Sequence, residues 1–213
     1  MLFSVQLVTA LTTPLKQDFR LLAARNDRGF AASPDTISRL QQMASDLEAT
    51  VDSTDFVPTS SPSLLGKWSL DFCDAADVLS LALLPLPLGS RIGDVYQEIS
   101  AGSTDDQFVV QNGVEFTPPG LVSALVSAAP PLVYEVEARC RTLDATKVSL
   151  AFVGGRVVPP LLPSPVGAVL PDALISQVQE LFGERVFLET TYLDEDLRVG
   201  RGPNRELYVL SKR

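Results

Sequence analysis

The chain beyond residue 66 alternates between hydrophobic and polar residues, a pattern typical of β-strands with one dry face and one wet face. The clearest example is the segment 132–141, where Tyr134, Val136 and Ala138 alternate with Glu135 and Glu137. The same period of two, or a shorter strand-like run, occurs at 66–72, 95–100, 107–116, 148–152, 186–192, 197–199 and 206–210. These segments predict about eight strands, the number that a small closed antiparallel barrel needs.

The first 60 residues have a helical period instead. Ser33 is a suitable N-cap, Pro34 suits the first helical position and Asp35 complements the positive end of the helix. An apolar stripe then follows over about four turns, at Ile37, Leu40, Ala44, Leu47 and Val51. A helix-like run at 19–24 that breaks at 28–29 predicts a second short helix, and a further capped helix is predicted at 172–182.

The first 15 residues are apolar, uncharged and without the basic start of a secretory signal. Either they are the remnant of a targeting segment or they form a helix that packs or anchors. The helical spacing of Val5, Val8 and Leu11 favours the helix. No run of apolar residues in the sequence is long enough to cross a bilayer as a helix.

Three uncharged, proline-containing apolar stretches lie between the predicted strands, at residues 78–90, 117–134 and 157–171. Proline excludes them from central strands and from long regular helices. Either they fold back to complete the core, or parts of them stay exposed as a docking surface for lipid or a membrane complex. The second interpretation assigns membrane or partner contacts to five leucines: Leu84, Leu86, Leu88, Leu161 and Leu162.

Composition limits the chemistry. The chain contains no histidine, which excludes Ser-His-Asp and Cys-His nucleophiles and His-ligated zinc or haem. Its net charge of −9 argues against nucleic-acid binding and against attachment to anionic membranes through a basic face. Cys73 and Cys140 lie in strand-like segments, where buried apolar cysteines are expected more often than a disulfide or redox pair. We therefore predict no catalytic residue, no metal and no cofactor.

Two motifs resemble those of the plastid lipid-associated proteins, the plant and algal family also called fibrillins. Residues 64–70 (LLGKWSL) are similar to the family's first-strand motif, and residues 190–202 (TTYLDEDLRVGRG) to its closing motif. Residues 97–99, 112–116 and 159–160 fit weaker family positions between them, and the likeness extends from about Phe19 to Lys212. The chain departs from the family at residues 72–74 (FCD), where tyrosine and hydroxyl residues are usual, and at Arg205-Glu206, where a Gly-Ser pair is usual.

The resemblance implies a mainly β fold with α: a lipocalin-like antiparallel barrel of about eight strands, with N-terminal helices and one further helix before the last strands. It implies a single family domain, divided into a helical segment at 1–60 and a barrel at 61–213. It also implies a plastid protein associated with thylakoids or plastoglobules. The expected partner is a hydrophobic small molecule (prenyl quinone, carotenoid or fatty acyl lipid), a membrane surface or a membrane protein complex.

Five aromatic residues would share the dry side of the barrel, and together with Arg198 they are the predicted ligand-binding residues. They are Trp68, Phe72, Tyr134, Phe152 and Tyr192. If the barrel is filled, these residues are core; if it is hollow, they line a cleft for an isoprenoid, an acyl chain or a pigment.

The charged residues after Tyr192 have two interpretations. Carboxylates at 194–196 lie close in sequence to Arg198 and Arg201, and Gly200 and Gly202 permit a tight turn, which favours a charged turn locking the last two strands. In the functional alternative, Arg198 binds a lipid headgroup or diphosphate near the barrel mouth, with Arg156 as a second candidate.

Three function classes follow from these observations. The first is a binding module for a hydrophobic molecule, and the second is a docking protein that uses the apolar stretches. The third, an enzyme acting on a lipid, ranks last because the sequence has no nucleophile motif and no metal-ligand spacing.

Overall fold

The computed structural model describes residues 2–52, 54–76, 91–104, 106–117, 132–158 and 187–213. Eight antiparallel strands form a closed barrel in which each strand pairs with the next and the last pairs with the first. The strands are β1 (Gly66–Cys73), β2 (Arg91–Ala101), β3 (Gln107–Thr117), β4 (Leu132–Thr142), β5 (Lys147–Val158), β6 (Phe187–Leu193), β7 (Leu197–Arg201) and β8 (Leu207–Lys212). The predicted fold class, an eight-stranded antiparallel barrel with N-terminal helices, is confirmed.

Two helices precede the barrel. Helix α2 (Pro34–Glu48) begins as predicted, with the Ser33 Oγ accepting a hydrogen bond from the Thr36 amide at 3.2 Å. Helix α1 spans Leu2–Ala24 without interruption at Pro14, so the prediction of a separate short helix at 19–24 is wrong in its extent. Burial of Phe19 and Ala23 against the barrel offsets the cost of proline inside a helix. The helix predicted at 172–182 lies outside the described residues.

Both helices pack on the outer face of the barrel. A buried cluster joins Phe19 of α1 and Leu40 and Leu47 of α2 to outward-facing residues of β7 and β8, including Leu197 and Val209. Every one of these five side chains is fully buried. The barrel wall is therefore dry on both faces beneath the helices, with one apolar layer inside it and another outside.

The described ladders contain four register shifts, one each in β1, β2, β5 (at Val153) and β6. Those in β1 and β6 change the face of a predicted ligand-binding residue. In β1, Leu70 pairs with Leu210 and Phe72 with Val209 of β8, so Asp71 is an extra residue. In β6, Thr190 pairs with Gly200 and Tyr192 with Val199 of β7, so Thr191 is an extra residue. After each of these two bulges the alternation is shifted by one, and the next aromatic residue faces outward instead of inward.

The two ends of the barrel differ. At one end, which we call the short-turn end, residues 102–106, 143–146 and 194–196 connect successive strands. At the opposite end, the apolar-loop end, β1, β3 and β5 finish and β2, β4 and β6 begin. The connections between these strands contain the three apolar stretches noted in the sequence.

The short-turn end is covered by two 3₁₀ turns, Pro58–Ser60 and Pro62–Leu64. Thr59 donates its amide to the Ala145 carbonyl at 3.2 Å, and the Trp68 indole donates to the Leu64 carbonyl at 2.9 Å. The Lys212 ammonium donates to the Ser63 carbonyl at 2.7 Å. Three independent contacts thus hold these turns across the base of the barrel.

The pairing between β5 and β6 is described only from Phe187 onward, because the residues before Phe187 lie outside the described part of the chain. In the part of the chain that the structure describes, it comprises three residue pairs, between Lys147–Ser149 and Phe187–Glu189. By contrast, β4 and β5 pair over ten positions. From Leu150 onward, β5 therefore extends towards the apolar-loop end beyond its described ladder with β6.

Candidate functional site inside the barrel

Four of the six predicted ligand-binding residues face the barrel interior. Trp68 is fully buried in the inner cluster, Phe152 packs against that cluster, and Arg198 lines an interior cavity. Tyr134 faces the same side, because it alternates in register with the inner residues Ala138 and Cys140 of β4. The structure thus brings together four of the six, while their role in binding stays a prediction.

The remaining two, Phe72 and Tyr192, lie outside the barrel wall. Phe72 is fully buried in the outer cluster beneath the helices, and Tyr192 packs against the same cluster. The prediction that all five aromatics share the dry interior is wrong for these two, because the bulges at Asp71 and Thr191 reverse their faces. The Tyr192 hydroxyl donates to Asp194 at 2.8 Å, and burial, followed by this hydrogen bond, raises the pKa of Tyr192.

Arg198 is a buried cation in the centre of the interior. Its relative exposure is 2%, its guanidinium donates from Nη2 to the Gln97 side-chain oxygen, and its Cζ lies 5.3 Å from the centroid of the Trp68 ring. The Arg198 Nε is buried and has no hydrogen-bond acceptor, and no described carboxylate forms an ion pair with this side chain. Burial lowers the pKa of Arg198 to about 9, which still leaves it charged at neutral pH.

A cavity of about 30 Å³ lies beside the Arg198 guanidinium. Its polar lining comes from Thr59, Gln97, Thr190 and Arg198, and its other walls are apolar. Such a volume holds about two water molecules and is far below the roughly 300–1,000 Å³ typical of pockets for drug-sized ligands. At this depth the barrel has room for a small polar group, and no room for a whole lipid.

Cys140 also lines this cavity and carries a free thiol. Burial raises the pKa of the Cys140 thiol to about 11, so the thiol is neutral and unreactive near neutral pH. Cys73 is buried as well, and its sulfur accepts a hydrogen bond from the Ala75 amide at 3.1 Å. The interpretation of both cysteines as small buried residues of strands is therefore confirmed.

The sequence analysis named Gln97 and Asn112 only as motif positions and did not assign them to the site. The Gln97 amide nitrogen donates to the Asn112 side-chain oxygen at 2.8 Å, which orients the Gln97 oxygen towards Arg198. Both residues occupy inward positions between apolar neighbours, Gln97 between Val95 and Ile99 in β2. A polar residue in place of an expected inner apolar residue is the signal that could have identified them.

The charged turn between β6 and β7 holds helix α1 and does not pair with the arginines that follow it. Lys16 of α1 contacts Asp194 at 2.7 Å and also contacts Asp196, while Arg20 contacts Asp196. The predicted pairing of these carboxylates with Arg198 and Arg201 is therefore wrong, because Arg198 points into the barrel.

Arg201 pairs instead with helix α2. Its Nε lies 2.8 Å from a Glu48 carboxylate oxygen, and its side chain is as fully buried as that of Arg198. Since residues 198 and 201 are an odd number of positions apart in β7, they occupy opposite faces of the barrel wall. The exposed Arg156 pairs with Glu135 on the outer surface, at 2.6 Å.

The family model PAP_fibrillin matches residues 14–211 of the chain. The chain belongs to the PAP/fibrillin family. The predicted family resemblance is therefore confirmed over almost the whole length.

Curated members of the PAP/fibrillin family are similar to this chain at moderate identity. The chromoplast-specific carotenoid-associated protein of Cucumis sativus is 28% identical over 87% of this chain and 63% of its own length. The probable plastid-lipid-associated protein 1 of Arabidopsis thaliana is 25% identical over 87% of this chain and 64% of its own. The light-induced protein of Solanum demissum is 28% identical over 87% and 63%, respectively.

The chain thus spans a little under two thirds of the length of these relatives. Their names describe them as chloroplastic or chromoplastic, which supports the predicted plastid location. Association with thylakoids or plastoglobules in particular stays a prediction.

Both departures from the PAP/fibrillin motifs lie in described regions. Phe72 and Asp74 belong to the outer layer, where Asp74 accepts hydrogen bonds from the Gln41 side chain and the Leu207 amide, both at 2.6 Å. Arg205, at the position of the family's usual glycine, has a φ of 69°. Neither departure touches the interior cavity.

The predicted membrane or partner contacts Leu84, Leu86, Leu88, Leu161 and Leu162 lie outside the described residues. Among the helices that the structure describes, we find none with the length and apolar character needed to cross a bilayer.

Proposed function

We propose that the chain is a non-enzymatic, lipid-associated plastid protein whose barrel holds a hydrophobic small molecule such as a prenyl quinone, a carotenoid or a fatty acyl lipid. The observation that carries this proposal is the position of Tyr134 and Phe152. Both are inward-facing aromatics on β4 and β5, yet both are only half-buried. An inward-facing apolar surface that the described side chains do not fully cover is suited to an apolar ligand.

The two aromatics also lie on one inner face. Phe152 of β5 pairs with Ala138 of β4, and Tyr134 lies on the same face of β4 as Ala138. A ligand at this position would contact Tyr134 and Phe152 from the apolar-loop end. The relatives named as carotenoid-associated and plastid-lipid-associated proteins give independent support for an apolar partner.

The experiment is organic extraction of natively purified protein, followed by mass spectrometry and an absorption spectrum. We expect a near-stoichiometric isoprenoid, pigment or acyl lipid. We also expect Phe152→Ala to reduce the bound amount several-fold, because it removes an aromatic wall of the site. Val153→Ala is the matched control, since Val153 is the neighbouring residue, 48% exposed, and forms the β5 bulge. A protein free of lipid that also takes up none on reconstitution would contradict the proposal.

A second candidate function is docking on, or coating of, membrane lipid through the apolar stretches. It is favoured by one specific observation: the strand ends that these three stretches connect all lie at the apolar-loop end. Apolar residues concentrated at one end of a molecule can insert into a lipid surface without a basic face, which suits a chain of net charge −9.

A further inference from the structure

We propose that the interior cavity is a head-group site for a singly charged organic acid, with the ligand's carboxylate against Arg198 and its apolar chain directed towards the apolar-loop end. This inference rests on the proposed function and adds the chemical class of the ligand and its orientation.

The charge balance of the interior is incomplete in the described structure. A buried cation is costly unless an anion and further hydrogen bonds compensate it. The buried Arg201 meets this condition through Glu48, whereas the buried Arg198 has only the neutral Gln97 oxygen and the Trp68 ring. One buried nitrogen of Arg198, Nε, still has no acceptor. A bound anion would supply both the negative charge and the hydrogen-bond acceptor that the described residues do not provide.

The size of the cavity limits which class of anion can bind beside Arg198. About 30 Å³ is room for about two water molecules, which is close to the size of a carboxylate. A planar guanidinium binds a carboxylate with two parallel hydrogen bonds, and the hydroxyl groups of Thr59 and Thr190 line the same space. A diphosphate is larger and carries more charge than a single guanidinium neutralises. The cavity therefore favours a carboxylate over the diphosphate considered from sequence.

The shape of the barrel gives the orientation. The two 3₁₀ turns cover the short-turn end, where Leu64 and Thr59 form part of the cavity lining. In the other direction, the inner positions after Gln97 and Asn112 are Val95 and Val114, and Val114 pairs with Tyr134 of β4. A ligand whose carboxylate binds Arg198 would thus have its hydrocarbon chain directed past Tyr134, towards the apolar-loop end.

The test compares oleic acid with oleyl alcohol, which has the same chain and no charge. Trp68 is the chain's single tryptophan and lies beside Arg198, so its fluorescence reports on occupancy of the cavity. For the delipidated full chain we expect oleate to bind at least about tenfold more tightly than the alcohol, the effect of one charge-assisted contact. In Arg198→Met the two affinities should become equal through loss of oleate binding alone.

A second variant keeps the proposal testable if Arg198→Met fails to fold. Gln97→Glu replaces the side-chain amide, whose oxygen already contacts the guanidinium, with a carboxylate of the same shape. Because this internal anion completes the charge balance, we expect Gln97→Glu to fold at least as stably as the parent and to lose the preference for oleate. Gln107→Glu is the matched control: Gln107 lies on β3 opposite Arg141, at an outward position, and its substitution should leave the preference unchanged.

The outcomes separate this inference from the proposed function. Equal binding of acid and alcohol by the parent protein would overturn the head-group site while leaving an apolar ligand in place. A preference for oleate that persists in both Arg198→Met and Gln97→Glu would also overturn it. Failure to bind either molecule, or any extracted lipid, would contradict the proposed function itself.

Discussion

Arg205 is the residue where the chain departs from its family at a backbone cost. Its φ of 69° lies in the left-handed region, which glycine adopts freely and which a side chain with a Cβ disfavours by about 1 kcal/mol or more. The side chain gives little in return, since its contact with Glu189 is 3.9 Å long and Arg205 itself is exposed. Arg205 is therefore the residue of the β7–β8 turn at which a substitution can raise the free energy of unfolding.

We expect Arg205→Gly to exceed Arg205→Ala in free energy of unfolding by about 1 kcal/mol, measured by urea denaturation. Both variants lose the contact with Glu189, so their difference isolates the backbone conformation. An alanine variant as stable as the glycine variant would show that the turn relaxes to a negative φ.

Arg198 shows what sequence could and could not predict about the site. The closing motif identified the residue, but not its partner. Strict alternation would have indicated that Arg198 and Arg201 face opposite sides. However, Leu197 and Val199, which flank Arg198, are also buried, because helices cover the outer face of β7. Where both faces of a strand are dry, hydrophobicity no longer distinguishes inside from outside.

The bulges had no signal in the sequence. Strand existence was predictable, because antiparallel strands with one wet face alternate clearly and all eight predicted segments are strands. A single extra residue, however, reverses every later side chain, and neither Asp71 nor Thr191 differs in kind from an ordinary strand residue. Phe72 and Tyr192 were misplaced for this reason.

The β6–β7 turn contributes ion pairs to the attachment of helix α1. Asp194 accepts hydrogen bonds from the Lys16 ammonium at 2.7 Å and from the Tyr192 hydroxyl at 2.8 Å. Burial alone would raise the pKa of Asp194, but these hydrogen bonds outweigh it and hold the pKa at about 2. A carboxyl with a depressed folded-state pKa stabilises the fold above its unfolded value of about 4, and this contribution is lost as the pH falls towards 2.

We therefore expect Asp194→Asn to lower the free energy of unfolding at neutral pH by about 1 kcal/mol and to flatten its pH dependence between about pH 4 and pH 2. Hydrogen exchange at neutral pH should become faster in α1 and stay unchanged in β3 and β4, which pair with each other along their length. Asp106→Asn, at an exposed turn carboxylate paired with Arg141 at 3.5 Å, is the control. Unchanged exchange in α1 of Asp194→Asn would mean that the apolar cluster alone holds the helix.

The whole molecule has a covered base at the short-turn end and three apolar connections at the other. If the second candidate function holds, substitution in these connections should abolish attachment to lipid. We expect Leu84→Asp with Leu86→Asp to prevent flotation of the protein with vesicles of neutral plastid lipids. Leu143→Asp is the control: Leu143 is 57% exposed, in the β4–β5 turn at the short-turn end, and its substitution should leave flotation intact.

Flotation of the double variant at the parent level would mean that this connection does not dock. The sequence indicated which stretches to test because they are apolar where loops are ordinarily polar. It could not place them, since apolar residues that complete a core and apolar residues that face a membrane have the same composition.

The separation of the two barrel ends has a consequence for how such a protein can diversify. The short-turn end contains the two 3₁₀ turns, the short strand connections and the Trp68–Arg198 contact, which together support strand register and closure. The apolar-loop end carries the three long connections, which lie outside the described strand pairing. If the barrel binds a ligand as proposed, changes in the length or sequence of these connections would alter which ligands bind while leaving the strand pairing unchanged, so that related proteins with the same fold could differ in their ligands.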